Sequence, residues 1–196
     1  MDAELAALLD EVYRDGQEHD AAQPDRLLRR RNLEPDSAAF LRLLVRVARL
    51  RSVLEIGTSN GYSTLWLADA VRETGGRVVS VDTDAAAIEL AAANLARAAL
   101  DGHVELRVED GGATLAATPA GSVDLLFLDS ERSEYAGWWP APLDVLAPHG
   151  VLVLDNVLSH SDEVADVRAL IDADERLTSI LVPTGKGQLL VTREGR

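Results

Sequence analysis

From residue 52 onward the chain alternates short apolar runs with helical stretches, and each of its first five runs ends on or runs into an acid. Residues 52–56 (SVLEI), 77–81 (RVVSV), 104–108, 123–128 (VDLLFL) and 151–154 have the length and branching of buried strands. Between them, a helix follows the glycine turn at 57–61 and runs through Val71. An alanine-rich helix spans Asp84 to Leu100, and Asp162 to Ala173 has helical spacing. Strands that alternate with helices predict a parallel sheet covered by helices. Residues 177–182 and 188–192 then flank a tight Gly185-Lys186-Gly187 turn, which adds a terminal hairpin with a late antiparallel strand. The expectation is α/β: five parallel βα units and a closing hairpin.

The first fifty residues read as helical. Leu5, Leu8, Leu9 and Val12 share one face, Pro24 and Pro35 interrupt, and Asp36-Ser37 open a second helix. Its apolar stripe, Leu41, Leu44, Val45 and Ala48, lies within Phe40 to Leu50. We expect residues 1–50 to form a helical cap on the same domain and 51–196 to form its core.

Composition narrows the function classes. A net charge of −14 argues against a nucleic-acid backbone as partner, and no apolar run is long enough to span a bilayer. The absence of cysteine removes disulfides and thiolate chemistry. A cytoplasmic location is the default expectation. The basic group Arg26, Arg29, Arg30 and Arg31 is either a solvated turn or a contact for an anionic substrate. Lys186 is the only lysine.

In parallel sheets of this kind ligands bind beyond the carboxyl ends of the strands. Those ends carry Glu55, Asp82, Asp110, Asp129 and Asp155. Carboxylates gathered in one crevice repel, so they call for ligands with donors or for a cation. In the first turn, Gly57 permits a sharp reversal and Gly61 a close approach of the next helix to a ligand. The helix start, with Ser63, offers N–H groups to an anion. The spacing is neither G-x-G-x-x-G nor a phosphate loop, so the anion is better taken as a carboxylate. Asp82 is placed to accept ribose hydroxyls and Asp110 an adenine amino group, although each alone is also a common turn former or helix cap. Together they point to an adenosine with a charged tail.

The stretch LEIGTSNGYSTLWLA resembles the first motif of class I methyltransferases, and more narrowly the catechol and caffeoyl-CoA O-methyltransferase group, over residues 36 to 193. The resemblance implies a Rossmann-like, seven-stranded methyltransferase sheet and S-adenosylmethionine as cofactor. It implies that Glu55, Gly57, Ser59 and Ser63 meet the methionine part, Asp82 the ribose and Asp110 the adenine edge. Gly61, Tyr62, Thr83, Gly111 and Asp129 complete the candidate cofactor set. Where the group reads Gly-Asp-Ala, this chain has Glu109-Asp110-Gly111.

Asp129, Asp155 and Asn156 are hard ligands suited to Mg²⁺ or Ca²⁺, and the resemblance implies a divalent cation there that acidifies the acceptor hydroxyl. Turn-shaping by Asp155 and Asn156 is the competing reading. The resemblance also implies a general-base lysine three residues beyond Asp129, a position held here by Arg132. Arginine keeps its proton, so Arg132 either serves an anionic acceptor or developing charge, or pairs with Glu131 or Glu134 at the surface. His160 is a candidate base, or a solvent-facing residue before a helix. His19, His103 and His149 look less useful. Trp138 and Trp139 are expected on a helix, as a substrate wall or as core. The expected activity is metal-assisted O-methylation of a small molecule by a homodimer. The alternatives are a metal-independent O- or N-methyltransferase, a nicotinamide-dependent oxidoreductase, and a non-catalytic cofactor-binding protein.

Overall fold

A computed structural model of the chain describes residues 1–194, so the last two residues of the expected 51–196 core lie outside the described residues. The chain opens with helices α1 (Ala3–Ala22) and α2 (Pro35–Val47). Asp2 caps α1 by accepting from Leu5 N at 2.9 Å, and Pro35 opens α2 where an amide hydrogen would have no helical partner. Leu5, Leu8, Leu9 and Val12 are buried in one cluster with Leu41 and Val45 of α2 and with Val53, Phe127 and Val153 of the sheet. The first fifty residues therefore share the core. Against expectation, α2 starts at Pro35 and ends at Val47; Arg49, in left-handed backbone at φ 57, turns the chain into the first strand.

The succession that follows is β1 (Ser52–Ile56), α3 (Tyr62–Thr74), β2 (Arg77–Asp82), α4 (Ala85–Arg97), β3 (Val104–Val108), α5 (Gly111–Ala117), β4 (Val123–Leu128), α6 (Ala141–Asp144), β5 (Leu146–Leu154), α7 (Ala165–Asp172), β6 (Leu177–Val182) and β7 (Gln188–Arg193). They form one seven-stranded sheet in the order β3-β2-β1-β4-β5-β7-β6. The first five strands are parallel, and β7 runs antiparallel to β5 and β6. Alternation along each strand sends Val53, Leu125, Phe127 and Val153 to the α1–α2–α3 side. Leu54, Ile56, Leu126, Leu128, Leu152 and Leu154 go to the side covered by α5, α6 and α7. The strand order reverses between β1 and β4, and a crevice opens there at the carboxyl ends.

Three local expectations need correction. β5 begins at Leu146, not Val151: residues 147–150 lie at an irregularity where Val123 pairs with Leu146 and Leu125 with Val151. Trp138 and Trp139 are not on a helix, because Gly137 and Pro140 interrupt, leaving a 3₁₀ turn at Arg132–Glu134 and the short α6. The last helix begins at Ala165, not Asp162; residues before it form turns, and Glu163 faces Arg26 and Arg132 instead. Among the described residues no helix is long and apolar enough to cross a membrane.

Candidate active site

A cleft of about 720 Å³ lies over the carboxyl ends of β1, β2 and β4. Its walls include Gly57, Ser59, Gly61's neighbour Tyr62, Ser63, Asp82, Thr83, Asp110, Gly111, Asp129, Arg132, Asn156 and His160, so most of the residues singled out from the sequence converge on one space. Glu55, Gly61 and Asp155 are the exceptions. Each lies behind the surface that lines the cleft.

The five strand-end acids are separated by what already binds them. Glu55 is wholly buried and accepts from Ser63 Oγ (2.5 Å), Thr64 Oγ1 (2.5 Å) and Ser80 Oγ (2.6 Å). Burial pushes its carboxyl up while the three hydroxyls pull it down. Glu55 thus holds the start of α3 from below and does not line the cleft. Asp82 accepts from Ser59 N at 2.9 Å and Asp84 N at 3.0 Å, which fixes the glycine turn against the end of β2. Asp110 is the N-cap of α5, accepting from Ala113 N at 2.8 Å. Asp129 accepts from Asn156 Nδ2 at 3.0 Å. Asp155, 1% exposed, has Gln188 and Asn156 N beside its carboxylate, but neither oxygen closes a hydrogen bond of good geometry.

The glycines serve packing as much as ligand access. A side chain at Gly57 (φ 107) would strike Asp129 O, so the turn lies directly on the end of β4. At Gly61 (φ 81) it would strike Ala91, so this residue also admits the close approach of α4. Tyr62 is buried against Tyr13 of α1, ring centroids 5.3 Å apart, and Ser59 Oγ donates to Arg30 O at 2.8 Å. Through these contacts the N-terminal segment closes over the turn.

Both signs of charge line the cleft: Asp82, Asp84, Glu109 and Asp110 at the ends of β2 and β3, and Arg26, Arg31, Arg132, Lys186 and His160 together with Asp129, Glu131 and Glu134. Burial pushes the Asp129 carboxyl well above its ordinary value, and the charges of Asp155 and Glu55 add to this. Burial, and then Glu34, push Asp155 up to about 7. Burial followed by Arg132 lowers the His160 imidazole. Arg132 is 4% exposed and gives Nε and Nη2 to Glu163 Oε2 at 2.8 and 2.7 Å, so its partner is neither Glu131 nor Glu134. Arg26 bridges Glu131 and Glu163, and Arg31 pairs with Glu131, which ties the basic segment over the cleft mouth. Among the described residues no three His, Cys, Asp or Glu side chains gather as a metal-holding group; the candidate trio has two carboxylates and an amide.

The family described as O-methyltransferase matches residues 5–194, nearly the whole chain. The chain belongs to the O-methyltransferase family. It is a class I, S-adenosylmethionine-dependent methyltransferase by that membership. It is 31% identical over 130 residues to a catechol O-methyltransferase of Niastella koreensis, covering 65% of this chain and 58% of the relative. It is 28% identical over 178 residues to a probable caffeoyl-CoA O-methyltransferase of Dictyostelium discoideum, covering 82% and 76%. An O-methyltransferase of Bacillus cereus, solved in complex with S-adenosylhomocysteine, superposes with a TM-score of 0.78 at 25% identity, covering 96% of this chain and 91% of that one.

Several lining residues of this O-methyltransferase were not legible from spacing. Trp138 stacks at a tilt on Tyr135 (5.4 Å) and fills the space that Gly111 and Gly112 leave. That packing accounts for Gly111 in place of the group's alanine. His19, set aside on sequence, lines the cleft and engages Leu28 O at 2.9 Å. Lys186 arrives from the β6–β7 turn. Their only sequence signal was residue type, because each comes from an element remote in the chain.

Proposed function

We propose that this O-methyltransferase moves the methyl group of S-adenosylmethionine to a hydroxyl of a small-molecule acceptor, with a divalent cation such as Mg²⁺ held by Asp129, Asp155 and Asn156. The observation that supports the metal is Asp155: buried, with neither oxygen in a hydrogen bond of good geometry although Gln188 and Asn156 N lie beside it, and close enough to Asp129 to raise its pKa. Such a pair calls for a proton or a cation, and two hard carboxylates with an amide suit Mg²⁺. A divalent cation, when bound, lowers the pKa of the acceptor hydroxyl. The protein's own residues position the donor: Asp82 and Asp110 accept from the adenosine, and the turn at 57–63 receives the carboxylate tail. Methyl transfer is an in-line displacement, so catalysis rests on alignment and on stabilising the acceptor anion. The competing reading, methyl transfer to oxygen or nitrogen without a metal, draws on the trio having only two acids. Calorimetry and turnover decide between them. We expect S-adenosylhomocysteine to bind, and methylation of a catechol to stop in EDTA and return with Mg²⁺; full activity in chelator selects the metal-free reading.

His160 is the proposed proton acceptor. It lines the acceptor end, where Ser159 Oγ meets its Nδ1 at 2.8 Å. Burial and Arg132 keep the ring neutral to lower pH than the ordinary 6.5. We expect the ascending limb of the pH–rate profile to lie below pH 6.5, and His160→Ala to remove it. A limb that persists in His160→Ala assigns the titration to the acceptor itself.

A further inference from the structure

The β6–β7 turn carries the chain's single lysine to the acceptor end of the cleft and holds it there from both sides. Lys186 O accepts from Leu158 N at 3.0 Å and Ser159 N at 3.3 Å, and Gly187 O from Val157 N at 3.1 Å. The turn is therefore laced to the residues that immediately follow Asp155 and Asn156. On the opposite side Gly185 N donates to Asp36 Oδ2 at 3.0 Å, at the start of α2. Between these anchors Lys186 Nζ meets Glu34 Oε1 at 2.8 Å, with its side chain 41% exposed.

The cleft places the ammonium near the chemistry: Lys186 lines it together with Asp129, Asn156 and His160. Beside the turn, Glu34 Oε2 and Ser37 Oγ are buried without a hydrogen-bond partner. Glu34 takes one of the three ammonium N–H groups, and the others remain for a ligand. Arg132 offers less, since two of its donors are committed to Glu163.

Resting on the methyl-transfer reading above, we infer that Lys186 binds the acceptor oxygen and stabilises it as it becomes anionic. The hydroxyl proton passes to the His160 imidazole while Lys186 keeps all of its protons. The oxygen's electron pair then forms the bond to the methyl carbon. The carbon–sulfur bond breaks with its pair left on sulfur, giving the methyl ether and S-adenosylhomocysteine. Glu34 orients the ammonium and is a positioning residue.

The test uses 4-nitrocatechol, whose absorbance reports its ionisation when bound and whose methylation can be followed separately. In Lys186→Met we expect the bound probe to ionise roughly one pH unit higher than on the wild-type enzyme. We expect kcat to fall on the order of 100-fold, with S-adenosylhomocysteine affinity unchanged. Lys186→Arg keeps the charge and should retain both the probe ionisation and most of the turnover. Wild-type ionisation and kcat in Lys186→Met overturn the inference. So does a Lys186→Arg enzyme as inactive as Lys186→Met that has also lost the ascending pH limb, because that makes the lysine a proton acceptor. If the wild-type enzyme binds S-adenosylhomocysteine but methylates no catechol, the functional reading fails, and the ionisation comparison still judges Lys186.

Discussion

Asp155→Ala is expected to lower Mg²⁺-supported turnover on the order of 100-fold or more, while S-adenosylhomocysteine binding stays near the wild-type value. The split arises because Asp155 lies behind the acceptor end, away from the acids of the cofactor end. Its pKa supplies a second reading that needs no acceptor. In the folded protein burial and then Glu34 push the Asp155 carboxyl from 3.8 to about 7. A folded value above the unfolded one means that this carboxyl favours the fold fully below pH 3.8, and that the contribution disappears as pH rises through about 7. The metal-free protein should therefore melt at a lower temperature above neutrality than in mild acid. Protons and metal compete for the same oxygens, so Mg²⁺ should raise Tm more at about pH 8 than at about pH 5.5. Asp155→Asn should lose both the pH slope and the Mg²⁺ increment in differential scanning calorimetry. An increment that survives in Asp155→Asn would exclude this residue as a metal ligand.

Asp82→Ala should weaken S-adenosylhomocysteine binding more than tenfold, or about 1.4 kcal/mol. Two losses combine. The ribose hydroxyls lose their acceptor, and Ser59 N and Asp84 N lose the oxygens that hold them at 2.9 and 3.0 Å. Ser59 has left-handed backbone at φ 48, a conformation that a non-glycine residue keeps only when its surroundings enforce it. Without Asp82 the turn over β1 should loosen, so the cost should exceed that of a ribose contact alone. Asp82→Asn keeps one acceptor oxygen and should fall between wild type and alanine. Unchanged calorimetric affinity in a folded Asp82→Ala protein would remove this strand end from the cofactor site.

Much of the fold was legible because its signals are local. A strand such as VDLLFL carries its own length and branching, and Asp84 before an alanine-rich run announces its helix through a cap that accepts from Ala86 N at 2.8 Å. The same locality set the start of the fifth strand at Val151, whereas residues 146–150 join it across the sheet irregularity between β4 and β5. It misled again at Trp138, expected on a helix, where Gly137 and Pro140 interrupt the chain.

The sequence by itself determined the order of strands and helices, the closing hairpin, and the acids that would stand together at the strand ends, since a parallel sheet brings those ends into one row whatever else the chain does. Only the tertiary structure decided what each acid does there. Glu55, Asp82, Asp110 and Asp129 are answered by donors from α3, the first turn, α5 and Asn156, whereas the Asp155 oxygens close no hydrogen bond of comparable geometry. Likewise Arg132 found Glu163, 31 positions away, and Lys186 came to the cleft from a turn near the end of the chain. Hydrogen bonds and ion pairs act over a few ångströms in space, and no spacing in the sequence records which distant residues the fold will bring within that reach.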